Sequence, residues 1–442
     1  MNRREFLKTS AGFLAAATSG NMLTIACKPA RKQQIKFEPV IGKNFLAPAL
    51  KLTPDGGLYQ QTYFDVTPYS PSERYLVVSK FPFQDRMPVV GDTAEVCIID
   101  THEQTIQTVY KTKSWGLQTG TNAQWGATDS YVYCNDIIGG TTVCVRVDID
   151  TGETSAFCGP MYSVAANDSC VVGFPLELFD VTQLGYGCPP ASPGAFQSLP
   201  PGASETEGIW RTDLKTNKKK LIVSLADAAA VLPSPPERDC TYYFWHSKFN
   251  RQGTRVYNVV RCILAGNLGV HNPANITFKP DGTELCYATP GRLPWGAGGG
   301  HPNWHPDGEH LIRHLKFEDG KNYFVKFKYD GSTFEKLSRK ILGGGHPSVE
   351  KGGRYLITDA FKTDGEQKTV SLRLADLEAD EAKIVCTLPS IKWEGRLPDA
   401  VFRLDGHPCW SRDYKKVTIQ AANVRGERHL YLVDLSAILS PR

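Results

Sequence analysis

The sequence predicts an all-β protein, a seven-bladed β-propeller of four-stranded antiparallel blades. Three observations predict it. Apolar and polar residues alternate in short runs, as in Thr142-Val-Cys-Val-Arg-Val-Asp148, which is the period of a strand with one buried face. A second signal is repetition: a polar or aromatic entry, a turn rich in Asp, Gly and Ser, and an apolar strand recur seven times. The copies lie about 40–60 residues apart except for one longer gap, which is blade spacing. Composition is the third: Gly 40 and Pro 29 against Met 4 suit many turns and little long helix.

The chain opens on an address. Asn2-Arg3-Arg4-Glu5-Phe6-Leu7-Lys8 and the mild apolar stretch from Ala11 to Ile25 read as a twin-arginine export signal over residues 1–27, outside the fold. Leu23-Thr24-Ile25-Ala26-Cys27 is similar to a lipoprotein cleavage box, which makes Cys27 a candidate lipid anchor. The expected location is the periplasm, either soluble or as a membrane-anchored lipoprotein. No apolar run reaches eighteen residues, so no transmembrane helix is expected. A net charge of +4 over 442 residues, with Lys218-Lys219-Lys220 as its one basic block, gives no nucleic-acid footprint.

Residues 36–442 are expected to form the propeller. Its seven copies open at Asp65, Asn122, Tyr162, His246, His301, His346 and His407. The last copy has room for three strands before the chain ends, so a strand within residues 36–52 is expected to close the ring. Deleting that segment should unfold the protein. The longer gap holds a Pro-rich insertion at about 175–241, with Pro189-Pro190, Pro193, Pro200-Pro201 and Pro233-Ser-Pro-Pro236. It is expected to be mostly surface loop around one strand, Gly208 to Asp213, roofing a cleft. No Cys-x-x-Cys occurs. Cys97, Cys134, Cys144, Cys170, Cys262, Cys286 and Cys386 lie inside apolar runs and read as small buried hydrophobes.

Three of the ten histidines share one context: Gly300-His301-Pro302, Gly345-His346-Pro347 and Gly406-His407-Pro408. Trp245-His246 holds the same register in the preceding blade. Equivalent positions in successive blades converge on one end of the central channel, so four imidazoles should ring one mouth. Imidazoles gathered in this way are metal ligands. The competing reading is a histidine serving each blade's own hydrogen bonds, but a structural repeat should not stop halfway round the ring. Asp405 lies two residues before His407, on the same strand face, and offers a hard oxygen ligand. Imidazole with carboxylate suits manganese, zinc, iron or calcium. His305, His310 and His314 are expected to face solvent. Arg211, Arg238, Arg261, Arg396 and Arg403 are candidates for binding an acidic substrate, because a guanidinium grips a carboxylate through two bonds. Trp304 and Trp410 are expected to pack between blades.

His246, then Pro302-Asn-Trp-His-Pro-Asp-Gly308, Gly345-His-Pro-Ser and Asp405-Gly-His-Pro-Cys-Trp410 together resemble the oligogalacturonate lyases, seven-bladed propellers that bind manganese. The resemblance implies that His301 and His407 are metal ligands, with His346 and Asp405 completing the set. Asp405 stands where the family has the first His of a His-Pro-His-Pro segment, and a family Gln ligand falls near Phe402. It also implies His246 and Arg211 as catalytic residues and manganese as the metal, with zinc or calcium as alternatives; among the arginines named above, Arg238 and Arg403 are the expected substrate-binding residues. The implied reaction is metal-assisted β-elimination on a short uronate oligosaccharide. Two alternatives remain: a lyase for another uronate polymer of the ulvan or rhamnose–glucuronate type, and a non-catalytic periplasmic propeller that binds glycan or protein.

Overall fold

The computed structural model describes residues 23–26, 30–42, 44–189, 201–233, 240–264, 273–293, 299–364, 367–391 and 399–439. The twin-arginine pair, Cys27, Arg238 and Arg396 lie outside the described residues. Seven antiparallel sheets form the seven blades. In chain order their innermost strands are Leu58–Gln60, Gln124–Trp125, Ser163–Val164, Cys240–Phe249, Gly300–Trp304, Ser348–Val349 and Cys409–Trp410. The first three strands of each blade run outward in sequence order, most of them joined by short turns.

The ring closes as the repeat count requires. The last blade has Cys409–Trp410, Lys416–Ala422 and Arg428–Asp434, and its fourth strand is Ala49–Lys51. There Tyr431 faces Lys51, Leu432 faces Leu50 and Val433 faces Ala49. Lys51 Nζ is 2.6 Å from Asp55 and 2.8 Å from Glu38. Three blades also carry a fifth strand from the N-terminal segment: Leu23–Ala26 on the second, Gln33–Gln34 on the first and Glu38–Val40 on the seventh. Among the described residues no helix is long and apolar enough to cross a membrane.

Blades pack on both faces, so inner strands such as Cys170–Gly173 and Ala274–Phe278 are buried throughout, and neighbouring blades share the apolar layer between them. Valines and isoleucines of the second, third and innermost strands fill these layers, as with Val417, Ile419 and Val433 packed against Ile357, Leu372 and Leu374. Indole groups fasten neighbouring blades. Trp125 donates to the Pro68 carbonyl (2.8 Å), Trp304 to that of Lys248 (2.9 Å) and Trp410 to that of Ser348 (3.2 Å). Of the seven cysteines named above, all are buried except Cys286, which is half-buried.

The insertion is more ordered than its prolines predict. Its described part holds the third and fourth strands of the third blade, Gly208–Asp213 and Lys218–Ser224, and two short helices, Leu176–Thr182 and Leu225–Ala230. The Ser224 hydroxyl caps the second helix in a capping box with Asp227. The reading of one strand is therefore corrected: the described part holds a second strand and two helices.

Candidate functional site

Three of the four repeat histidines hold left-handed backbone positions where the inner strands begin or bulge. His246, His301 and His407 have φ of 64°, 54° and 45°, a left-handed conformation uncommon for a residue with a side chain. The strand register slips at Trp245/Ser247 and at Gly300/Asn303. These bulges rotate the imidazoles inward. In the sixth blade the positive φ (65°) falls on Gly345 instead. A Cβ there would stand 2.1 Å from the Asp359 carbonyl oxygen, so only glycine lets the backbone approach that closely.

Four imidazoles meet as the spacing requires. Ring centroids are 4.0 Å apart for His301 and His346, and 4.5 Å for His346 and His407. His246 joins through Tyr63, whose ring lies 4.7 Å from His246 and 4.3 Å from His407. Ligand atoms of His346, Asp405 and His407, all buried, lie within 4.8 Å of one another. Asp405 Oδ2 is 3.9 Å from His407 Nε2.

Outer hydrogen bonds fix which nitrogens face inward. The Gly345 carbonyl can only accept, so His301 Nδ1, 2.7 Å away, carries the proton. Asp359 does the same for His346 Nδ1 at 2.9 Å. Gln420 Nε2 lies 2.9 Å from His407 Nδ1, and the Gln420 amide oxygen is buried without a partner among the described residues; turning that amide over would let the oxygen accept from Nδ1–H and leave His407 Nε2 as the lone pair. Asp359 also accepts from the backbone N–H groups of His346, Gly406 and His407, at 2.9, 3.0 and 3.2 Å. One buried carboxylate thus aligns the histidines of two blades. Burial alone would raise its pKa, but the His346 ring and these N–H groups bring it below the usual carboxylate range. Burial, with neighbouring cations and imidazoles, holds His246, His301 and His407 well below the usual imidazole value. They are neutral at pH 7, the form that binds metal.

The residues fit a divalent cation. His407 Nε2 is buried with no hydrogen-bond partner among the described residues, and a carboxylate stands beside it. Such orphaned atoms are rare in folded proteins, yet they gather here: Tyr63 Oη, Trp245 Nε1, Arg261 Nε and His314 Nδ1 share the condition. His301, His346, His407 and Asp405 are the residues that would hold the ion.

Two guanidinium groups flank the cluster. Arg403 donates from Nε to Asp405 (2.9 Å) and from Nη2 to the Tyr186 hydroxyl (3.0 Å). Burial opposes its charge, but Tyr186 and Asp405 hold its pKa above the usual arginine value. Arg261 stacks over Trp245 at 3.5 Å and donates to Gln183 at 2.8 Å, while Trp245 in turn stacks on His246 at 4.3 Å. Gln183 and Tyr186 follow the first helix of the insertion, so that segment reaches the mouth, as a roof would.

Arg211 is not brought to the histidines. It lies on Gly208–Asp213, the third strand out from the channel, with its guanidinium 3.8 Å from Asp213. Among the described residues no hydrogen bond or ion pair joins it to the cluster. His314 corrects the solvent-facing expectation: its ring is 5.5 Å from that of His301, and burial lowers its pKa to about 4. Strand alternation carried the signal, since His314 shares parity with fully buried Ile312. Asp359, Tyr63, Tyr162 and Gln420 were also missed. Tyr162 Oη hydrogen-bonds His246 Nδ1. Asp359 stood out as a carboxylate inside the apolar run from Tyr355, whereas Tyr63 lies in a stretch of the first blade with no counterpart in the repeat.

No protein-family model matches the chain, and no curated protein matches it by sequence. Solved structures do. A structure described as oligogalacturonate lyase in complex with manganese is 15% identical, with a TM-score of 0.63, covering 92% of this chain and 98% of that one. Oligogalacturonate lyase from Vibrio parahaemolyticus is 13% identical, with a TM-score of 0.64 and the same coverage. At these identities the likeness is one of fold.

Proposed function

We propose that the protein is a polysaccharide lyase that cleaves short uronate-containing oligosaccharides, oligogalacturonate-like, by metal-assisted β-elimination. The observation that carries this reading is the buried group His346, Asp405 and His407, with His301 beside it, flanked by two guanidinium groups. Manganese is the proposed ion, in keeping with its presence in one neighbour of the same fold. A cation held there supplies Lewis-acid neutralisation of a substrate carboxylate.

The chain's own residues supply the rest. Elimination removes the weakly acidic proton beside the carboxylate, forms a carbon–carbon double bond and expels the glycosidic oxygen. Arg403 and Arg261 are positioned to pair with the carboxylate and stabilise the negative charge that develops on it. His246, neutral and braced at Nδ1 by Tyr162, is the proposed proton acceptor. Arg261 takes the role that the resemblance assigned to Arg211, because it stands against the Trp245–His246 stack. Asp405 in place of an imidazole favours a substrate or metal preference of this chain's own among uronate polymers.

The test is digestion of trigalacturonate, ulvan and rhamnogalacturonan fragments by purified protein with measured metal content, read by the absorbance of the unsaturated product. Turnover on one of them supports the reading. Stoichiometric metal without turnover on any would point to a binding propeller instead. The proposed location is outside the cytoplasm by the twin-arginine route, with Cys27 as anchor, and the N-terminal mass of exported protein tests it.

A further inference from the structure

The inner hairpin of the fourth blade rises above the histidine ring. Its strands Cys240–Phe249 and Val256–Leu264 run past His246 toward the mouth, and this extension carries Tyr243, Trp245 and Arg261. Near its end Cys240 faces Leu264 and Cys262 faces Tyr242, so the two cysteines are diagonal neighbours on one face of the hairpin. Their sulfur atoms are 3.2 Å apart, 22 residues apart in sequence, and both side chains are fully buried. That separation is closer than ordinary van der Waals contact between two sulfurs. The remaining approach to bond length falls at the first residue of the strand Cys240–Phe249.

We propose that Cys240 and Cys262 form a disulfide once the chain is in an oxidising compartment, a cross-strand staple beside Arg261. The Cys240 thiolate attacks a disulfide oxidant, either an oxidoreductase disulfide or oxidised glutathione, and displaces one of its sulfurs as thiolate. The Cys262 thiolate then attacks the Cys240 sulfur of the mixed disulfide and displaces the second. Two protons leave the cysteines, and the oxidant takes up two electrons. Both sulfurs are buried, so in a chain exported already folded this step takes place during local opening of the hairpin, and closure afterwards shields the bond from reductants. The staple holds the strand pair that carries Arg261 and Trp245, and it stands independently of the reaction catalysed.

The full chain, unfolded and refolded with reduced and oxidised glutathione, is alkylated in denaturant without reduction and mapped as peptides. The expected result is a linked peptide pair joining Cys240 to Cys262 and an intact mass lower by two hydrogens. Separate alkylation of the two, or linkage of either to another cysteine, overturns the proposal. A reductant should lower the melting midpoint of the oxidised wild type and leave that of Cys262→Ser unchanged, whereas an equal fall in both overturns it. If Cys262→Ser fails to fold, the wild-type peptide map decides alone.

Discussion

The two mouths of the channel are built from the same strands, yet they end in opposite states. At the entry ends of the inner strands four histidines converge, and buried polar atoms lack partners. At the exit ends a cavity of about 240 Å³ opens among Lys248, Arg251, Trp304, Trp410, Arg412 and Tyr414. There the charges close on one another. Lys248 is ion-paired with Asp65, and both are buried. Tyr257 donates to the same carboxylate at 2.8 Å, and Arg412 donates to the Tyr69 and Ser70 carbonyls at 2.9 Å each. Among the described residues, no residue lining this cavity has a buried side-chain N or O without a partner. Tyr63 and Phe64 form the septum between the two: Phe64 lines the cavity and lies 5.1 Å from the His346 ring on its other side. Room to bind and readiness to react are thus separated along one axis, and the candidate site lies where polar groups are left open rather than where this cavity opens.

The largest expected effect is at the open mouth. His407→Ala should remove stoichiometric metal and lower kcat/KM by about 10³-fold or more, checked by elemental analysis and initial rates. Full activity in the metal-free variant would erase the distinction between the mouths. At the closed mouth, Lys248→Met leaves the Asp65 carboxylate buried without its partner. The expected cost is about 3–5 kcal/mol of stability in denaturant titration, with metal content per folded molecule unchanged. Asp359→Asn sharpens the comparison by disturbing orientation alone. Metal affinity should fall about 10–100-fold in a competition titration, while the fold persists.

A fourth expectation concerns pH. The unfolded chain's imidazoles take up protons below about 6.5, whereas His246, His301 and His407 stay neutral in the fold. The unfolded state then binds more protons, so metal-free protein should lose stability as pH falls below that value. The slope reaches up to about 1.4 kcal/mol per pH unit for each such histidine, and His301→Ala should flatten it in denaturant titrations at stepped pH. The smallest effect is at the closed rim: Arg251→Ala should leave kcat/KM within about twofold, since a surface side chain away from the chemistry contributes little.

The repeat made the open mouth legible. Gly-His-Pro at three equivalent positions gave both the convergence and the candidate ligands, because strand register in a propeller turns sequence spacing into spatial coincidence. Asp405 followed from strand parity. What stayed hidden depends on contacts between blades or outside the repeat. Asp359 sits on the second strand of the sixth blade yet aligns a backbone of the seventh. Arg211 and Arg261 are alike as sequence, and only the extended hairpin of the fourth blade tells them apart. Tyr63 belongs to a departure from the repeat in the first blade, and departures carry no register from which to predict a position. Repetition revealed where like groups meet, while irregularity supplied what orients and encloses them.

Residues 49–51 complete the sheet that residues 409–434 begin. During synthesis the earliest part of the barrel-like ring must therefore wait, with one edge bare, until almost the whole polypeptide has left the ribosome. An interrupted translation product would expose that edge to other chains. Grafting the closing strand after the last one is therefore the natural design for a circular permutant with new ends elsewhere.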